Sequence, residues 1–190
     1  MSQIAVFFAE GYEEIEGLTV VDICRRCGIE TEMVAVGGKL AVTGGHGITT
    51  QMDVLLEDAD FSKYDMLILP GGLGGTQGLE ACGMLMDQVD TFFRDGKYIG
   101  AICAAPTIFG HRGILKGRRA CCYPGLESHL EGALVTNGPV ELDGNVMTSR
   151  GMGTALDFAL AIAGLFVGKE AADQMAEKVV YRRAGAARTE

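Results

Sequence analysis

The sequence predicts a flavodoxin-like α/β fold: a doubly wound, mostly parallel sheet sandwiched by helices, with a small antiparallel excursion. Short apolar runs of strand length alternate with segments of helical periodicity, the pattern of right-handed strand–helix–strand units. The first run, Gln3–Ala9, is apolar beyond its first residue, as suits a central parallel strand covered on both faces. A glycine-rich loop, Pro70–Gly75, and a cysteine, Cys103, each directly follow such a run, and in a doubly wound sheet ligand sites lie beyond the carboxyl ends of the strands.

The elements follow in order. Glu13–Cys27 reads as a helix, with Ile15, Leu18, Val21, Ile23 and Cys24 apolar and Gly28 as its stop. Glu30–Val36 is a second strand, and Lys39–Asp53, punctuated by Gly44, Gly45 and Gly47, is the antiparallel excursion. Met66–Leu69 is a buried strand ending in the glycine loop. A helix is expected from about Met84 to Arg94, then the strand Tyr98–Ile102, then a helix rich in small residues running from Cys103 toward Gly110. Asp143-Gly144 between extended segments predicts a hairpin. The last long helix, about Thr154–Val167, is apolar nearly all round and is expected to be buried.

At 190 residues the chain suits one core, so a single domain is expected over 1–181 with a flexible tail over 182–190. A formal charge of −9 argues against nucleic-acid and anionic-membrane partners, which an acidic surface repels. The apolar start has no basic segment before it, and Phe158–Val167 is too short to span a bilayer, so a cytoplasmic protein is expected. In that reducing compartment the six cysteines are expected as free thiols.

Cys103 stands out among them. Gly100, Ala101, Ala104 and Ala105 flank it, and such small neighbours permit a sharp strand-to-helix turn, a nucleophile elbow with sulfur in place of a hydroxyl. Amides at the start of the next helix would depress the thiol's pKa, and the amide of Gly72 would complete an oxyanion site. The alternative is a cysteine that merely packs under the sheet edge. None of the three histidines, His46, His111 and His129, has a spacing that announces a triad, and His111 and His129 read as surface residues. Glu10, Glu13, Glu14 and Glu16 lie near the same edge; most read as helix-start acids, but one turned inward would share a proton with the thiol.

Several stretches in order closely resemble the ThiJ/PfpI superfamily, on the branch of the parkinsonism-associated deglycase and its bacterial relatives. They are Gly11–Glu16, Val21–Ile29, Tyr64-Asp65 through Leu69–Gly72, Ala101–Pro106 and Thr148–Thr154, and the likeness runs from Ile4 to about Val180. The resemblance implies that Cys103 is an oxidisable nucleophile, that Glu16 is a protonated carboxyl bonded to its sulfur, and that the amides of Gly72 and Ala104 cradle an oxygen of substrate or oxidised sulfur. It implies a homodimer using the first helix and the excursion near Gly47, and a glyoxalase working without cofactor or metal on methylglyoxal, with deglycase activity on early glycation adducts. It also implies peroxide sensing through a cysteine sulfinate, with a chaperone-like role. Where the best-known member has a histidine near the cysteine, this chain has Tyr123 before Pro124, as a substrate-side residue, so Glu16 alone is left to move protons. Ala104 replaces the histidine of the protease-like branch, which disfavours a peptidase.

Other patterns carry less. Cys24 and Cys27 form a C-x-x-C at a helix C-terminus, where the dipole opposes a thiolate. Adjacent Cys121 and Cys122 would face opposite ways, which disfavours a four-thiolate zinc site, although one of them would serve as a resolving thiol if it faced Cys103. Pro70-Gly71-Gly72 lacks the lysine of a phosphate loop, and the absence of a histidine after His129 disfavours an amidotransferase.

Overall fold

A computed structural model describes residues 2–182. In chain order the elements are β1 (Gln3–Phe8), α1 (Glu14–Arg26), β2 (Glu30–Ala35), β3 (Ala41–Thr43), β4 (Thr49–Gln51), β5 (Val54–Leu55), β6 (Met66–Leu69), α2 (Leu73–Ala81), α3 (Gly83–Arg94) and β7 (Tyr98–Ile102). They continue with α4 (Pro106–His111), β8 (Arg119–Ala120), β9 (Leu134–Val135), β10 (Val140–Asp143), β11 (Val146–Ser149), α5 (Ala155–Val167) and α6 (Lys169–Lys178).

Seven strands form the main sheet in the order β10-β11-β7-β6-β1-β2-β5, parallel except for the β10–β11 hairpin built on Asp143-Gly144. From β1 the chain builds outward through β2 and β5, then returns to lay β6 against the other side of β1. The direction of building therefore reverses between β1 and β6, which opens a crevice beyond their carboxyl ends. β3 and β4 pair separately as the antiparallel excursion.

Alternation along β1 divides the core into two layers. Ile4, Val6 and Phe8 pack with α1, α5 and α6, whereas Ala5 and Phe7 pack with α3 and α4 on the opposite face. α1 carries Glu14 and Glu16 in its first turn and Arg25 and Arg26 in its last, a charge order that complements the helix dipole.

Four expectations need correction. Leu73–Ala81, of which the sequence places Leu73–Gly75 in the glycine loop and assigns no element to the rest, is helical: the Thr76 amide donates to the Gly72 carbonyl at 2.8 Å, and burial of Thr76 and Leu79 outweighs the low helix propensity of the glycines. Helix α6 went unread because it is mostly polar and buries only Ala172, Met175 and Ala176. α5 is not buried all round; Leu165, Phe166 and Val167 remain partly accessible where α6 leaves its outer side uncovered. Finally, α4 begins at Pro106 rather than at Cys103 and is short. Of the expected tail, only the exposed Arg182 falls within the described residues; 183–190 lie outside them. Among the described residues no helix is long and apolar enough to cross a membrane.

Candidate active site

Cys103 sits where β7 ends, beside the crevice, with φ of 66°. A side chain in this left-handed region costs roughly 1–3 kcal/mol and persists only where surrounding structure imposes it. Here the imposition is visible: the Cys103 amide donates to the Ser149 carbonyl at 3.0 Å, and the Tyr123 amide donates to the Cys103 carbonyl at 2.8 Å. The neighbouring strand and the loop after β8 thus clamp the residue from both ends, and its sulfur is left half-buried.

The glycine loop supplies the opposite wall. Gly72, at φ of 84°, comes so close to the preceding turn that a Cβ would stand 2.4 Å from the Gly11 carbonyl oxygen. A Cβ on Gly71 would stand 2.6 Å from both the Cys103 Cβ and the Glu16 Oε2. No other residue type allows the loop, the thiol and the carboxyl to meet at this distance. The amides of Gly72 and Ala104 face the sulfur.

Glu16 comes from the first turn of α1 and is 1% exposed. Its Oε2 accepts the Gly71 amide at 2.9 Å, Oε1 is equally buried, and the Cys103 thiol and the Met152 amide also bond to the carboxyl. Oε1 and the sulfur border the same glycine: a Cβ on Gly151 would stand 3.8 Å from Oε1 and 3.9 Å from the Cys103 Sγ. Burial pushes the Glu16 carboxyl up to about 7, against the Cys103 thiol and the Gly71 amide, which favour its charge.

The expected acidic thiol is not what this environment produces on its own. Burial first, then the negative charge of ionised Glu16 and the hydrogen bond to it, push the Cys103 thiol up to about 12; the Gly72 and Ala104 amides oppose this without prevailing. The reason lies in the short α4. The Ala105 amide already donates to Ile102, the Thr107 amide to Ala104, and Pro106 has none, so few helix-start donors remain for the sulfur. The pair therefore shares its protons: a thiolate forms while Glu16 keeps its own, and not beside a charged Glu16.

A cleft of about 440 Å³ opens over the sulfur, lined by Cys103, Gly72, Ala104 and Glu13 together with Leu73 and the segment Tyr123–Leu126. With the clamp, the buried carboxyl and the two amides in place, the sequence pattern of the DJ-1/PfpI family matches residues 2–165. The chain belongs to the DJ-1/PfpI family.

It is 37% identical over 176 residues to protein DJ-1 homolog B of Arabidopsis thaliana, covering 92% of this chain but only 40% of that protein. The chain thus spans about two fifths of that relative's length. Protein dj-1beta of Drosophila melanogaster is 35% identical, with 90% of this chain and 93% of the relative covered. The glutathione-independent glyoxalase DJR-1.2 of Caenorhabditis elegans is 33% identical, covering 85% and 86%. Among solved structures, a cysteine-to-alanine mutant of a DJ-1 superfamily protein from Salmonella typhimurium superposes with a TM-score of 0.92 at 32% identity, covering 96% of this chain and 100% of that one. Oxidised DJ-1 of Toxoplasma gondii superposes equally well, at 28% identity and the same coverage.

Within this DJ-1/PfpI frame the structure brings Cys103, Glu16, Gly72, Ala104 and Tyr123 together around the crevice. The other acids divide. Glu10 accepts the Thr43 amide, Glu13 lines the cleft, and Glu14 turns inward to accept the His46 amide at 2.8 Å and its Nδ1 at 2.9 Å. Burial alone would raise Glu14, but those hydrogen bonds hold it down to about 2. Glu13, Glu14 and His46 bring ligand atoms within 4.8 Å of one another, the one such cluster among the described residues; hydrogen bonds already join Glu14 to His46, and a Glu13 carboxylate oxygen lies 3.7 Å from the His46 ring.

His111 and His129 do not line the cleft; they meet each other at 3.2 Å, and His111 Nδ1 lies 2.7 Å from Glu80. Both are exposed, as the sequence expects of surface residues; their contact with each other, among α2, α4 and the loop after β8, has no local signal. A resolving role for Cys121 or Cys122 finds no support: the Cys121 thiol donates to Thr148, the Cys122 thiol to Tyr123, neither lines the cleft, and burial pushes Cys122 up to about 12. Burial also raises the thiols of Cys24 and Cys27, opposite to what a redox pair needs.

Glu16 gives a direct test. Its pKa rises from 4.5 to about 7 on folding, so its neutral form contributes stability that is fully present below pH 4.5 and lost as pH rises through 7. Relative to Glu16→Gln, the wild-type unfolding free energy should fall by a few kcal/mol, of order 3, across that window in urea titrations. The same substitution removes the negative charge beside the sulfur, so the pH profile of Cys103 alkylation should move to lower pH. An unmoved profile, or one moved upward, would show that Glu16 does not raise the pKa of the thiol.

Proposed function

We propose that this chain is a cysteine-dependent glyoxalase that needs no cofactor and acts on methylglyoxal-type dicarbonyls or early glycation adducts. The observation that carries the reading is the buried carboxyl of Glu16 hydrogen-bonded to a sulfur that two backbone amides face. The family membership and the glyoxalase name of one relative support it.

In this mechanism Cys103, as thiolate while Glu16 holds the proton, adds to the aldehyde carbon. The carbonyl oxygen gains negative charge opposite the Gly72 and Ala104 amides and then takes the Glu16 proton, leaving a hemithioacetal and a carboxylate. Glu16 next removes the hydrogen of the former aldehyde carbon as a proton, forming an enediolate, and returns it to the neighbouring carbon as the hydroxyl proton passes from the first oxygen to the second. The product is a 2-hydroxy thioester. One carbon is oxidised as its neighbour is reduced, so no external redox partner enters. Water hydrolyses the thioester to lactate and frees the thiol. Tyr123 lines the substrate side of the cleft. Lactate formed from methylglyoxal in chelator-treated buffer should drop to background in Cys103→Ala, and by about 100-fold or more in Glu16→Gln. Equal rates in wild type and Cys103→Ala would remove the reading.

A second reading has its own support in the same atoms. A sulfinate on Cys103 would place its oxygens against the Gly72 and Ala104 amides and a protonated Glu16, and a close structural neighbour is an oxidised DJ-1. The chain would then act as an oxidative-stress sensor or redox-regulated chaperone. Intact mass after mild peroxide, followed by peptide mapping, should show two added oxygens on Cys103 before the other five thiols. Oxidation spread evenly over all six counts against it.

The chain is also read as a cytoplasmic homodimer. Free thiols throughout fit a reducing compartment, and Ile15 on α1 and Ile48 beside the β3–β4 turn are 51% and 55% exposed, which suits a second copy packed there. Sedimentation velocity should give a dimer for wild type and a monomer for Ile15→Glu; a monomeric wild type would refute this part.

A further inference from the structure

The cleft over Cys103 is roomier and more apolar than a three-carbon dicarbonyl needs. Its volume is about 440 Å³, whereas methylglyoxal occupies roughly the space of three or four waters at ~30 Å³ each. The excess is bounded by Leu73, Tyr123, Pro124 and Leu126. Leu73 is 72% exposed and Tyr123 52% exposed. Single exposed apolar residues are ordinary, but these share one cleft with a half-buried nucleophile among them.

Backbone contacts hold this wall in place. Leu73 follows Gly72, whose amide faces the sulfur; the Tyr123 amide is bonded to the Cys103 carbonyl, and the Leu126 amide donates to the Tyr123 carbonyl at 3.1 Å, a tight turn that keeps both side chains over the same space. Charge points the same way. Glu13 is the only acid lining the cleft, and no lysine, arginine or histidine among the described residues lines it. An anionic substrate would meet Glu13 and the Glu16–Cys103 pair without a compensating cation.

We infer that the cleft selects neutral 2-oxoaldehydes bearing an aromatic or bulky apolar substituent, of the arylglyoxal class, over methylglyoxal and against anionic carbonyls, with Leu73 and Leu126 setting the preference. As a statement about turnover it rests on the glyoxalase reading; as a statement about what the cleft admits to the sulfur it does not. The chemistry balances as before: the thiolate adds to the aldehyde carbon, a proton moves between adjacent carbons, and water releases a 2-hydroxy-2-aryl acid with no external oxidant. The aryl group would lie between Leu73 and Tyr123 while the oxygen faces the Gly72 and Ala104 amides.

Two measurements on wild type, Leu73→Asn and Leu126→Ser test this. In the first, kcat/KM is obtained for phenylglyoxal and methylglyoxal from the acid products, and the ratio of the two is compared between proteins, which cancels the intrinsic reactivity of each aldehyde. The ratio should fall about tenfold in each variant, the size expected when apolar contacts to one substituent are lost. In the second, Cys103 is alkylated by chloroacetamide, N-benzylchloroacetamide and chloroacetate, each rate being normalised to that of N-acetylcysteine. The benzyl reagent should react fastest and chloroacetate slowest, and the benzyl advantage should shrink in Leu73→Asn. If no dicarbonyl is turned over but the benzyl preference stands, the glyoxalase reading falls and the apolar selection survives. If both dicarbonyls are turned over, yet the ratios are the same in all three proteins or chloroacetate reacts fastest, the inference falls and the glyoxalase reading survives.

Discussion

Placing a carboxyl and a thiol side by side in a buried pocket creates an electrostatic conflict that organises everything around it. Both groups cannot ionise there, because each is partly removed from water and each anion repels the other. Burial lifts Glu16 to about 7 and, with the Glu16 charge, lifts Cys103 to about 12, so near neutrality the pair holds one exchangeable proton between two sites. The amides of Gly71, Gly72 and Ala104 are the polar groups that make either arrangement tolerable, Gly71 on the carboxylate and the other two on the sulfur. Thiolate beside carboxylic acid and thiol beside carboxylate thereby become two states of one unit.

The fold supplies this unit by topology. α1, the loop after β6 and the turn after β7 are distant in sequence, yet the reversal of building direction between β1 and β6 brings all three to one crevice. The strained backbone of Cys103 is held by Ser149 on one side and Tyr123 on the other, so distortion is confined to a point where two neighbouring segments enforce it. The same two contacts fix the wall that carries Tyr123, which is why the shape of the cleft and the pose of the sulfur are linked.

Much of the site was legible because it depends on local chemistry. Cys103 among small residues after a strand, and glycines where loop and strand must touch, are signals that short-range sterics write into sequence. Which of four neighbouring acids turned inward was not a local matter, and only the resemblance pointed to Glu16. Helical spacing does not distinguish Glu14, tied to the β3–β4 turn through His46, from Glu16, tied to Gly71. The acidity of the thiol was misread for a related reason: helix-start amides were counted as free when Ala105 and Thr107 already use theirs within the turn. The helix α2 was missed because glycine propensity argued against it, and tertiary burial of Thr76 and Leu79 decided otherwise.

The amino-acid order by itself determined the alternation of strands and helices, the central position of β1, apolar beyond Gln3, the hairpin at Asp143-Gly144 and the elbow at Cys103, since each follows from side-chain periodicity or from steric limits on a few adjacent residues. Only the tertiary structure decided which carboxyl meets the sulfur, which amides remain unpaired beside it, and that Leu73 and Leu126 face one cleft although 53 positions separate them. Those are matters of desolvation and long-range packing, whose free energies depend on distances between segments that the sequence pattern does not encode.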